Sequence, residues 1–182
     1  MRIYLRICLF LMILFTVSCA NDNVALPHNY FSLTTYFKKQ MKKLQEEKMK
    51  LNKVISRNNE TQTKTFIDVD WKKELTPFLE CDINKPAWIQ SYQTDTLISS
   101  LGLIKVNYTA KEDHLPVRSI VLSFNATNEL MDITIYKKRH NFYYQSDIVY
   151  TYNAKKGFII SGQQHVRLLD QTVYHIEGNF IP

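Results

Sequence analysis

Two histidines, His165 and His175, lie ten residues apart where apolar and polar residues alternate, a pattern that predicts two paired strands. The register read for that hairpin sets Val166 opposite Tyr174, Gln164 opposite Ile176, Gly162 opposite Gly178 and Ile160 opposite Phe180. His165 then faces His175, and Gln163 faces Glu177, on the polar side of the sheet. Two imidazoles and a carboxylate are donors that zinc accepts. No third histidine adjoins them, so His165, His175 and Glu177 stand as an outlying donor set and no metal is expected. Cys81 sits between Glu80 and Asp82. Acidic neighbours disfavour a thiolate, so it reads as a small buried hydrophobe and not as a nucleophile. His28, His114 and His140 fall in turns or in the N-terminal tether and carry no pattern. The chain has no Gly-x-Ser-x-Gly, Walker, Cys-x-x-Cys or His-Glu-x-x-His motif, and only four glycines. No residue is nominated as catalytic, no cofactor is expected, and an enzyme is the less favoured reading.

The same register gathers Ser146, Gly162, Gln164 and Gly178 on the otherwise apolar face, ringed by Tyr144, Ile148, Tyr150 and Tyr174. The preceding hairpin contributes by pairing Tyr150 with Ile160 and Ser146 with Gln164. Tyr144, Ser146, Tyr150, Gly162, Gln164, Tyr174 and Gly178 are thus the candidate ligand-binding residues. The competing reading is a helix approaching closely over the two glycines.

These residues must be positioned by a sheet. From Arg118 to Phe180 the apolar sets alternate along consecutive strands: Ile120, Leu122 and Phe124; Met131, Ile133 and Ile135; Phe142, Tyr144, Ile148, Tyr150 and Tyr152; Phe158, Ile160, Val166 and Leu168; Tyr174, Ile176 and Phe180. Ile104, Val106 and Tyr108 add a strand before them, and Trp88 to Ile98 reads as a weaker one. Thr61 to Val69 is mixed. Leu33, Phe37, Met41, Leu44, Leu51 and Ile55 recur at helical spacing, with Ser32 as N-cap and Lys48 interrupting the stripe. Asp70 can cap a short helix that Pro77 limits. The expected fold is α+β. A long N-terminal helix over 32–57 and a short second helix over 70–80 pack on one antiparallel meander of about six strands over 88–180, with a strongly bent sheet as the variant. Residues 30–182 form one domain.

The net charge of +6 is placed unevenly. Eight cations between Lys38 and Arg57 face only Glu46 and Glu47, so the rest of the domain is slightly acidic and nucleic acid is not an expected partner. Ahead of the domain, Arg2 and Arg6 precede an apolar run from Ile7 to Val17. Eleven helical residues span about 17 Å, short of a ~30 Å hydrocarbon core, so residues 1–18 read as a signal peptide.

Thr16-Val17-Ser18-Cys19 resembles the lipobox of bacterial lipoproteins, with Thr16 where leucine is usual. The resemblance covers the leader alone. It implies that Cys19 is acylated and becomes the mature N-terminus, that residues 19–29 are a lipid tether, and that the chain belongs to the cell envelope, anchored in the outer membrane. Ser18-Cys19-Ala20 also fits ordinary cleavage, giving a soluble secreted protein. The bent variant of the sheet is similar in outline to the periplasmic lipoprotein carriers of the localisation pathway. The expected function is a lipid-anchored, non-enzymatic envelope protein that binds another protein or an envelope component. The alternative is a periplasmic carrier or sensor of an apolar, lipid-like ligand held between sheet and helices.

Overall fold

The structure is a computed structural model, and it describes residues 29–58 and 60–182. The first helix, α1, spans Leu33–Glu46. The Ser32 hydroxyl accepts from the Thr35 N–H and caps it. Leu33, Phe37 and Leu44 form its buried stripe.

Here the expected architecture is corrected. No helix reaches residue 57, and the sheet is larger than a six-strand meander. Lys48 adopts φ +51 and its N–H bonds the Gln45 carbonyl, while the Met49 N–H bonds the Leu44 carbonyl. These two bonds are a Schellman closure, which satisfies the last helical carbonyls and turns the chain out of the helix. Glycine usually takes that left-handed position; lysine occupies it here. The residues beyond it, including β-branched Val54 and Ile55, form a strand instead.

Nine strands follow α1, with a second helix among them: β1 Lys50–Arg57, β2 Glu60–Phe66, α2 Trp71–Leu79, then β3 Tyr92–Ile98, β4 Ile104–Ala110, β5 Val117–Phe124, β6 Leu130–His140, β7 Tyr144–Asn153, β8 Gly157–Val166 and β9 Thr172–Ile181. They make one sheet in the order β2-β1-β9-β8-β7-β6-β5-β4-β3, antiparallel throughout. Strands β3 to β9 are a meander, and the N-terminal hairpin β1–β2 is added onto β9. The segment carrying α2 therefore crosses from one sheet edge to the other. Asp70 caps α2 by accepting from the Lys73 N–H, and the helix ends two residues after Pro77.

Both helices lie on one face. Phe37 of α1 and Phe78 of α2 meet at 5.0 Å between ring centroids, and both reach Tyr152 of β7, at 5.0 and 6.0 Å. Phe78 also packs edge-on against Tyr150 and Phe158, and Trp71 against Phe180. Lys53 of β1 and Glu74 of α2 form a 2.7 Å ion pair, largely shielded, which fixes α2 to that side of the sheet.

The sheet has two ends. The rim carries the turns after β1, β6 and β8 and the loop 111–116. The base carries the turns after β3, β5 and β7. The described chain begins at the rim. Tyr30 bonds Asn84, and its ring stands between Tyr92 and Tyr108, at 5.7 and 5.5 Å.

Candidate functional site

On the helix face, the hairpin β7–β8 brings Tyr150 opposite Ile160 and Ser146 opposite Gln164. Hairpin β8–β9 differs from the expected register. Ile160 faces Ile176, Gly162 faces Tyr174 and Phe158 faces Gly178. The turn centres on Leu168, in the left-handed region at φ +71, two residues earlier than expected. Moving the turn by two residues slips the pairing by four, which preserves which face each side chain occupies, so alternation cannot detect it.

Tyr144, Ser146, Gly162, Gln164 and Tyr174 consequently share the rim half of the helix face. Tyr150 is buried beside Phe78, and Gly178 leaves the group altogether. A Cβ at residue 178 would run into the Phe158 ring, so this glycine makes room for a cross-strand aromatic. A Cβ at residue 162 would run into the Asp147 carbonyl and the backbone of Ile148 on β7, so this glycine makes room for the neighbouring strand itself. Neighbouring strands, through the Phe158 ring at Gly178 and the Asp147–Ile148 backbone at Gly162, crowd the glycines, where a helix is the competing expectation. The remaining residues form a shallow polar hollow. The Gln164 amide donates to the Tyr174 hydroxyl at a long 3.5 Å, and burial raises the Tyr174 phenol above its ordinary value, opposed by that hydrogen bond. Ile55 of β1 borders it and stays 42% exposed, so the helices leave the β9–β1 corner of this half uncovered.

His165 and His175 are separated by the true register. His165 faces Gln145 on β7, and His175 faces Ser161 on β8. The Ser161 hydroxyl lies 2.7 Å from His175 Nδ1, and His175 Nε2 lies 3.9 Å from Glu177. Serine, histidine and carboxylate thus occur in sequence on the helix-free face. Polarising a serine is only part of acyl transfer, because an oxyanion needs free N–H donors. The strands around Ser161 spend theirs on the β-ladder. Among the described residues no group of three His, Cys, Asp or Glu is placed to hold a metal ion.

A cleft of about 570 Å³ opens at the rim between the two helices and the sheet, lined by Ser32, Thr34, Asp82, Lys85, Lys137 and Arg139 among others. Asp82 is its structural centre. Its carboxylate accepts from the Thr34 N–H at 2.7 Å, the Ser32 hydroxyl at 3.3 Å, and the Asn84 N–H and amide at 2.9 and 3.0 Å. Burial pushes this carboxyl up, but the bonds from Asn84 and Thr34 outweigh it and hold the group below its ordinary value. Asp82 therefore occupies the α1 N-terminus that an anionic ligand would use. Nearby, Cys81 is fully buried and its thiol is pushed up to about 11, chiefly by burial.

The sequence missed a third feature. Phe142 and Tyr143 lie in the turn after β6, and Leu168 and Leu169 in the turn after β8, all exposed. Alternation assigned Phe142 and Leu168 to buried strand faces. The available signal was an apolar pair in each segment where turn chemistry calls for polar residues. Comparison of the chain with known protein families, curated proteins and solved structures yields no match. Cys19 lies outside the described residues.

Proposed function

We propose that this chain is a lipid-anchored, non-enzymatic protein of the cell envelope that works by binding a protein or another envelope component. The lipobox-like leader supports the anchor. The observation that carries the binding reading is the filled layer between helices and sheet. Phe37, Phe78, Tyr150, Tyr152 and Phe158 occupy it with their own side chains. The working surfaces are then the outward ones: the rim cleft with its Lys85, Lys137 and Arg139 side chains, and the apolar turn tips.

A second reading, a carrier or sensor of an apolar ligand, is favoured by one feature. The hollow at Tyr144, Gly162, Gln164 and Tyr174 is bordered by half-exposed Ile55 on the helix face.

Two measurements on the full chain separate these readings. Fatty-acid labelling in the producing cell, with Cys19→Ser as control, is expected to mark the wild type alone; equal labelling of both ends the anchor reading. Native mass spectrometry is expected to give the bare protein mass. A retained acyl-sized adduct that leaves on denaturation would replace the binding reading by the carrier.

A further inference from the structure

The turn after β6 and the turn after β8 meet at the rim. The Arg167 N–H donates to the Tyr143 carbonyl at 2.9 Å, and the Arg167 guanidinium lies 4.0 Å over the Phe142 ring. Around this contact Leu168 is 95% exposed, Phe142 and Tyr143 69% each, and Leu169 64%. Val173, one residue into β9, is 52% exposed; the Asn58 N–H of the turn after β1 donates to its carbonyl, and its own N–H donates to Asn58 Oδ1. Two apolar turns are thus bound together as a cap, and the polar turn after β1 is tied to the start of β9 beside them. The turn residues of the cap lie at the end of the sheet, and Val173 lies beside them on the helix-free face, paired with Gln163.

Cations surround the cap. Lys137, Lys138, Arg139 and His140 end β6, and Arg167 sits within the cap itself. Asp147 draws on Lys138 and His140, at 4.0 and 3.1 Å, and Asp170 lies in the turn after β8. On the neighbouring loop Asp113 is bound to Arg118 at 2.8 Å, and Glu112 is 3.4 Å from His114. Arg139 and Arg167 have no acidic partner among the described residues. Aromatic rings beside leucines, flanked by arginine, suit the boundary between lipid headgroups and acyl chains.

The path of the chain selects the same end. Ser32, three residues into the described chain, and Arg139, near the end of β6, line one cleft, so the chain enters the fold on the rim side. From Cys19 to Asn29 the backbone can reach at most about 36 Å even when fully extended. An acyl group at Cys19 would therefore tether the chain from its rim end.

We infer that the rim is a membrane-docking surface. The Phe142-Tyr143 and Leu168-Leu169 tips enter the headgroup region of an anionic bilayer, and the base points away from it. The inference deepens the lipid-anchor reading and rests on it for the direction of approach.

The test uses the full chain reconstituted in vesicles of phosphatidylethanolamine and phosphatidylglycerol. An environment-sensitive fluorophore is attached at Leu168→Cys or, as the comparison, at Leu101→Cys, an equally apolar turn position at the base, 78% exposed. Cys81 does not compete, being fully buried with a raised thiol pKa. Peptide mass reads the state of Cys19 separately, so loss of the anchor is seen independently of docking. The label at 168 is expected to shift to the blue and to be quenched by nitroxide-bearing lipid, with the label at 101 unchanged. High salt should weaken the quenching. Equal water exposure at both positions with Cys19 acylated overturns the docking and leaves the anchor standing. Insertion of 168 with Cys19 unmodified, read in a Cys19→Ser background so that position 19 takes no label, keeps the docking and removes the anchor. A label at 168 that leaves water only when a second protein is added overturns the inference in favour of a protein partner.

Discussion

The base half and the rim half of the helix face are built by the same strands and differ in what lies over them. At the base, Phe158, Tyr152 and Phe180 receive Phe78, Phe37 and Trp71, and little solvent remains. At the rim, Tyr144, Gln164, Tyr174 and Ile55 continue the same alternation with no helix above them. Alternation fixes which way a side chain points. Whether it is buried depends on where a helix ends, and Lys48 and Pro77 help to decide that.

If this contrast is sound, substitutions should divide along it. Phe78→Ala empties the point where four aromatic rings converge and is expected to cost about 3–5 kcal/mol in chemical denaturation. A loss below about 1 kcal/mol would mean the base is no better filled than the rim.

Asp82→Ala comes next. It strips acceptors from the Thr34 and Asn84 N–H groups and should cost about 3 kcal/mol. The wild type should show the matching acid dependence. Because the folded carboxyl is harder to protonate than the unfolded one, its contribution is complete above the ordinary value of 3.8 and fades as pH falls through the lower folded value. Asp82→Asn should lose this part of the acid sensitivity.

Gly178→Ala sharpens the contrast at a single atom. The new methyl meets the Phe158 ring inside the base half, so a loss of about 1–3 kcal/mol is expected. Smallest of all are Tyr174→Phe and Gln164→Ala in the open hollow. Their one mutual hydrogen bond is long, and each should change stability by less than about 0.5 kcal/mol. A larger effect would show that the hollow is structurally closed.

Much of the sheet was legible, because β4 to β9 alternate cleanly and β7–β8 has a short polar turn that leaves one workable register. The end of α1 was not. Leu51 and Ile55 continue the spacing of Leu33, Phe37 and Leu44, and they also sit four apart as alternate strand residues do. With lysine where glycine normally marks the stop, nothing local distinguished the two. The β8–β9 turn was placed two residues off, which slipped the pairing by four, preserved every face and broke every pair. His165 therefore lost His175, and Ser161 gained it. Of the candidate hollow, five residues share the rim half and two do not. Burial by a distant helix removed Tyr150, and cross-strand pairing removed Gly178.

The place of β9 has a consequence for timing. It lies between β8 and β1, so the last strand in sequence is an interior strand of the sheet. Arg57 and Tyr174, the innermost pair of that joint, enclose more than a hundred residues. Closing such a loop costs about 2 kcal/mol more entropy than closing a local hairpin of about ten residues. Strands β3 to β8 can zip as they emerge, but the N-terminal hairpin has no seat until β9 exists. High contact order of this kind makes folding slow and late. During synthesis from the N-terminus, that delay keeps the first hairpin unpaired until nearly all of the polypeptide has emerged.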